Sequence, residues 1–174
     1  MNIEDIVRKG EDYDLSSQDI MDITNNQVKI TAYSELANVS NLDDIFSAEG
    51  NAILLYEVKQ GYGHWVALLK KEGFIEFFDS YGLKYDTELN YARYDNTPYL
   101  SQLIQKSGAK VVYNDIRLQK FHEDINTCGR WTSLRVVLRD MPLHQFTNLF
   151  KLQSGGNDGD YWATALTILY TLKK

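Results

Sequence analysis

Ala52-Ile53-Leu54-Leu55-Tyr56-Glu57-Val58, Gln60-Gly61-Tyr62-Gly63, His64-Trp65-Val66-Ala67-Leu68-Leu69-Lys70, Glu72-Gly73 and Phe74-Ile75-Glu76-Phe77-Phe78 read, in that order, as strand, turn, strand, turn and strand. Each apolar run is short, rich in β-branched or aromatic residues, and bounded by glycine, as the strands of an antiparallel meander should be. In such a meander the start of one strand lies beside the end of the next. His64 and Asp79 are therefore expected side by side at one end of the sheet.

On either side of the meander the pattern changes to helical signals. Ser16 or Ser17 can cap a helix running into Ile20 and Met21, and a second short helix fits residues 32–39. After Asp79 a polar, tyrosine-rich loop extends to about Thr97. Pro98 can occupy the first turn of a helix through Gln105, with Gly108 ending it. Residues 110–114 read as a further strand and 115–127 as a loop. From Gly129 onward Trp131, Leu134, Val137 and Leu138 recur at helical spacing, which puts Cys128 in the first turn of a helix. Pro142 starts another helix through Leu152, residues 154–159 form a flexible break, and Asp160 caps a last helix through Leu172. Strands grouped in the middle with helices grouped outside predict an α+β fold, helices flanking a mostly antiparallel central sheet, in a single domain over 1–174.

Composition narrows the function. The chain has 18 basic and 24 acidic residues, a formal charge of −6, which argues against nucleic acid as the main partner because phosphate binding needs an excess of Lys and Arg on one face. One cysteine cannot form an internal disulfide, and no Cys/His cluster has zinc spacing, so neither metal nor cofactor is expected. No apolar run approaches the roughly 20 residues that span a bilayer, and the first residues do not resemble a signal peptide. The expectation is a soluble intracellular protein with no membrane partner. Tyrosine is abundant at 12 residues, and most of these rings are expected to be half-buried surface.

The lone Cys128 lies in Asn126-Thr127-Cys128-Gly129-Arg130-Trp131, where loop gives way to helix. The first N–H groups of a helix are unpaired and carry the positive end of its dipole, so they favour a thiolate and can receive a developing oxyanion. A thiol attacks a carbonyl only as its thiolate and needs a base to take its proton; His64 is the candidate base and Asp79 the carboxylate that orients it. Gln119 is the candidate side-chain amide for an oxyanion. Taken singly, a lone cysteine is most often a small buried hydrophobe, His64 a structural residue and Asp79 a turn former; their combination argues for chemistry. His122 is nearer Cys128 in sequence and competes as base, but Glu123 and Asp124 beside it suit an exposed loop, and His144 suits a helix surface.

The ordered set Gly63-His64-Trp65-Val66-Ala67, Phe78-Asp79-Ser80-Tyr81-Gly82, Leu118-Gln119 and Asn126-Thr127-Cys128-Gly129-Arg130-Trp131 resembles the adenovirus-type and SUMO-protease-type cysteine proteases, above all the compact versions from large DNA viruses and virophages. The resemblance covers about residues 53–137 and implies a papain-like, adenain-like architecture. It implies Cys128 as nucleophile, His64 as general base and acid, Asp79 as orienting carboxylate, Gln119 as oxyanion donor, and Trp65 as an aromatic packing beside bound substrate. Gln119 stands further from the cysteine than the family usual, through the stretch 121–126. The implied substrate is a protein with a glycine-rich site, a capsid or other virion precursor, met in the host cytoplasm, in a viral factory or within the virion. Alternatives are a protease for ubiquitin-like modifiers and a non-catalytic binding or assembly module on the same fold. The run Leu152-Gln153-Ser154-Gly155-Gly156-Asn157 resembles a glycine-type cleavage site and raises self-processing as a further expectation.

Overall fold

A computed structural model describes residues 1–91, 96–152 and 159–173. Five strands form one sheet in the order β1-β2-β3-β4-β5: β1 Lys29–Ala32, β2 Asn51–Lys59, β3 Tyr62–Lys71, β4 Phe74–Phe78 and β5 Val111–Tyr113. The three expected strands are the long antiparallel centre, with Leu55 opposite Trp65 and Leu68 opposite Phe77. The two margins, β1 on β2 and β5 on β4, are short and parallel. β1 escapes a reading by pattern because four residues beginning with a lysine carry almost no periodicity.

Helices cover both faces. On one side lie α1 Ile3–Asp12, α2 Ser17–Ile23, α4 Cys128–Val137, α5 Leu143–Leu152 and α6 Gly159–Leu172; on the other are α3 Tyr99–Ser107 and the 3-10 turns Tyr33–Asn38 and Leu42–Ile45. Strand alternation sorts the side chains between these layers. Ile53, Leu55, Trp65, Ala67, Leu69 and Phe78 pack with Trp131, Leu134 and Phe146. Leu54, Tyr56, Val66, Leu68 and Phe77 pack with Leu36, Leu100 and Leu103. Burial on both faces is why these strands read as continuous apolar runs rather than as alternating ones.

Several local expectations meet their physical cause. Ser16 is the cap of α2, its hydroxyl accepting from the Asp19 N–H at 3.2 Å. Gly108 ends α3 at φ 68°, and Pro98 stands just before that helix. Residues 33–38 form a 3-10 rather than an α-helix. α1 has no counterpart in the sequence reading, although Asn2 and Asp5 cap it reciprocally. Asp160 does not cap α6; it lies within the first turn, fully buried, and its carboxylate accepts from Thr127 Oγ1 at 2.6 Å and Trp131 Nε1 at 2.9 Å. The glycine-rich run at 153–158 lies outside the described residues.

One buried ion pair joins the sheet to α4. Arg135 donates to both oxygens of Glu76, at 2.7 and 3.0 Å, and to the carbonyls of Leu138 and Met141, both at 2.8 Å. Removing one partner leaves a buried charge uncompensated, so Glu76→Ala is expected to cost about 3–5 kcal/mol of stability. Urea denaturation of the purified variant checks this, and a loss below about 1 kcal/mol, the range of exposed pairs, would show the pair to be solvated.

Candidate functional site

The end of the sheet where β3 starts and β4 finishes gathers candidate site residues. His64 is the third residue of β3, and Gly63 before it meets the β2 irregularity between Glu57 and Lys59. A Cβ on Gly63 would run into the Tyr56 backbone, so only glycine fits there. Asp79 follows β4 directly and is fully buried. Asn114 clamps its backbone, accepting the Asp79 N–H at 3.1 Å and donating to the Asp79 carbonyl at 2.6 Å. The Asp79 Oδ1 then meets His64 Nε2 at 2.8 Å and accepts the Tyr81 N–H at 2.8 Å. The juxtaposition expected from a short antiparallel turn is present.

Committing Nε2 to Asp79 leaves Nδ1 for the thiol. Cys128, the first residue of α4 and 6% exposed, lies close enough to the His64 ring to act on its ionisation. Burial pulls the His64 pKa down, but the hydrogen bond it makes to Asp79 and the influence of Cys128 and of the Asp79 charge outweigh it, and the imidazole is held well above its ordinary value. The arrangement therefore favours the imidazolium form of His64. Tyr81 stacks on the imidazole, ring centroids 4.7 Å apart at 16°, and shields it from water.

The start of α4 is left open for a ligand. Thr127 occupies the cap position, yet its hydroxyl donates to Asp160 and makes no cap bond. The first helix N–H groups thus lack the usual side-chain acceptor and can serve a negative oxygen. Residues at the end of α1 brace the preceding loop: Asn126 donates its N–H to the Glu11 carbonyl at 2.8 Å and its side-chain amide to the Asp12 carbonyl at 3.0 Å. Gly129 packs so closely that an added Cβ would lie 2.9 Å from Leu15 Cβ and 3.2 Å from Trp65 Cδ1.

Gln119 is buried rather than solvated, at 2% exposure. Its Oε1 accepts from Ser80 Oγ at 2.7 Å and its Nε2 donates to the Ile125 carbonyl at 3.3 Å, which turns the N–H face toward the loop carrying Cys128. Trp65 is largely buried too; Nε1 donates to the Leu15 carbonyl at 3.2 Å, and the residue lines a groove of about 350 Å³ with Asp14, Leu15, Tyr62 and Gly63. A second groove, about 600 Å³, is lined by Tyr81, Phe121, Ile125 and Asn126. One begins at the residue before His64 and the other ends two residues before Cys128.

His122 is exposed and lies 3.8 Å from Asp124, so the structure does not bring it to the thiol as a rival base. His144 is on the surface. Two of the tyrosines are buried: Tyr33 and Tyr56 stack at 4.6 Å, and both hydroxyls donate to Asp86 Oδ1. The sequence pattern gives Tyr81 no role of its own and does not single out Glu88. Glu88 Oε1 lies 3.7 Å from His64 Nε2, in a 3-10 turn of a loop that shows no periodicity. Among the described residues His64, Asp79 and Glu88 are the one crowded group of this kind, and Nε2 of that histidine is already spent on Asp79. No described helix is long and apolar enough to cross a membrane.

No protein-family model matches the chain. It is 40% identical over 141 residues to the uncharacterized protein V9 of Sputnik virophage, a match taking in 76% of this chain and 80% of that protein. Among solved structures, the SUMO protease Ulp1 with its catalytic cysteine oxidized to a sulfinic acid aligns with a TM-score of 0.46 and 11% sequence identity, over 99% of this chain and 96% of that one.

Proposed function

The chain belongs to the same family as protein V9 of Sputnik virophage, and from that viral setting together with the Cys128 site we propose that it is a cysteine endopeptidase acting on virion precursor proteins. The observation that carries the reading is the His64 ring bonded to Asp79 Oδ1 at 2.8 Å and placed so that Cys128 acts on its ionisation.

In this reading the Cys128 thiolate attacks the scissile carbonyl carbon, forming a C–S bond and an oxyanion. The N–H groups at the start of α4 and the Gln119 amide stabilise that oxygen. The C–N bond then breaks as the His64 imidazolium gives its proton to the leaving amine, and a thioester remains. Neutral His64 takes a proton from water, the resulting hydroxide adds to the thioester, and C–S cleavage releases the acid and restores the thiolate and imidazolium. Asp79 fixes the tautomer throughout.

In this reading the substrate runs along the two grooves, one lined by Tyr62 and Trp65 and the other by Tyr81 and Asn126. A narrow approach between these aromatic rings would suit glycine at the cut, as in a capsid precursor. The setting would be the host cytoplasm, a viral factory or the virion itself.

The test begins with reactivity. Iodoacetamide at pH 6 is expected to label Cys128 at least about tenfold faster than a free thiol, and His64→Ala to remove the advantage. Slow labelling in the wild type would leave a binding or assembly module. Incubation with virion precursors and with a ubiquitin-like vinyl sulfone then separates substrates; capture by the probe without precursor cleavage would assign a modifier-specific protease. Gln119→Ala is expected to lower kcat roughly 10²–10³-fold, the usual cost of one oxyanion donor, with its melting temperature measured alongside. Unchanged kcat would remove the residue from the oxyanion site.

A further inference from the structure

Glu88 faces the catalytic histidine from a turn that the fold holds rigidly. The turn Thr87–Asn90 follows Asp86, whose backbone adopts φ 65°. The Asp86 carboxylate accepts from Tyr33 Oη at 2.7 Å, Tyr56 Oη at 2.9 Å and the Ser101 N–H at 2.8 Å. Sheet, 3-10 turn and α3 are thereby tied to the residue that launches the turn, and Glu88 is driven inward until its side chain is 11% exposed. Its carboxyl and that of Asp79 come within 4.8 Å of each other and of the His64 ring nitrogen.

Two oxygens in this group have no donor among the described residues, Glu88 Oε1 and Asp79 Oδ2, and both are buried. Two ionised carboxylates so placed repel, and each unsatisfied buried oxygen is costly. One proton resolves both problems. Resting on the cysteine-protease reading of the site, we propose that Glu88 is a positioning residue whose neutral carboxyl donates to Asp79 and whose ionised form holds the His64 imidazolium, so that the Asp79–Glu88 pair carries one negative charge or two.

Burial pushes the Glu88 carboxyl up to about 7; the attraction of His64 opposes this, and the charge and hydrogen bond of Asp79 add to it. The titratable groups around it are His64 from β3 and Asp79 and Tyr81 from the loop after β4, while Cys128 from α4 faces His64 and Tyr81. Below that pH the pair bears one charge. Above it a second negative charge stands 3.7 Å from Nε2 and favours the imidazolium, so His64 keeps its proton, and its ability to protonate the leaving amine, to higher pH.

The experiment is an NMR titration of the His64 ring in the full chain, which has only 3 histidines, paired with kcat/KM against pH. Glu88→Gln keeps an N–H for Asp79 Oδ2 but cannot ionise. Its His64 midpoint is expected to fall by about one unit relative to wild type, so that kcat/KM near pH 9 falls roughly tenfold. Glu88→Ala is expected to lose about tenfold at pH 6 as well, because the donor to Asp79 is gone, and Glu88→Gln to recover most of that loss at pH 6 but not at pH 9. A His64 midpoint identical in wild type and Glu88→Gln, or equal losses in both variants at both pH values, would overturn the proposal. The midpoint needs no turnover, so this result stands apart from the iodoacetamide result that decides the protease reading itself.

Discussion

Cys128→Ala is expected to lower peptide-bond cleavage by on the order of 10⁶ while leaving the fold intact, because it deletes the one atom that forms the covalent intermediate in the proposed mechanism. The members of such a set act as a unit, so a single deletion removes nearly all of what the set contributes. The structural cost is small by comparison. Cys128 begins α4, with Gly129 and Trp131 fixing the helix behind it, and the change removes a single sulfur, which at a helix start leaves a cavity costing about 1 kcal/mol or less. Melting temperature and circular dichroism should therefore match wild type. Turnover of a glycine-site precursor at more than about 1% of wild type would mean that the sulfur is not the nucleophile, since a lost nucleophile leaves far less.

The meander and the helix mouth were legible in the sequence because each is a local pattern. Glycine-bounded apolar runs define β2, β3 and β4, and the helical recurrence of Trp131 and Leu134 places Cys128 at a helix start. His64 and Asp79 followed from antiparallel geometry, since one short turn fixes which strand ends meet. Gln119 was legible as a residue type but not as a buried one: its setting comes from Ser80 and Ile125, contacts that depend on how two loops pack. Glu88 had no signal at all, and Tyr81 stood inside the motif around Asp79 with no role of its own. Both reach His64 through the stretch after β4, whose course is set by the tyrosine hydroxyls on Asp86 and by Asn114 gripping the Asp79 backbone. The diversion of Thr127 to Asp160 belongs to the same class, because a threonine before a helix reads as an ordinary cap until its distant partner is known. β1 was missed for a different reason, a four-residue edge strand being too short to show a period.

Asp79 is expected to show a graded response, with alanine lowering kcat by about 10⁴ and asparagine by only about tenfold. In the alanine variant the His64 ring loses its orienting acceptor, and the buried Nε2–H is left facing the gap. Wrong tautomers then compete with the productive one, which is the origin of losses of that size. Asparagine differs because the Tyr81 N–H, at 2.8 Å, points at the same oxygen that His64 engages. Two donors converging there select the amide oxygen for that position and turn its NH₂ toward Glu88. The tautomer survives and only the charge is lost, a difference of about 1–2 kcal/mol between a charged and a neutral acceptor. The sign of the pH effect follows from His64, whose pKa is raised in part by the Asp79 charge against the opposing pull of burial. Without that charge the imidazolium is lost at lower pH, so the alkaline limb of kcat/KM moves down in Asp79→Asn. Steady-state rates of both variants from pH 5 to 9 on one peptide substrate decide the matter. Equal losses for alanine and asparagine would show that charge alone matters, and near wild-type rates for both would transfer the orienting role to Glu88.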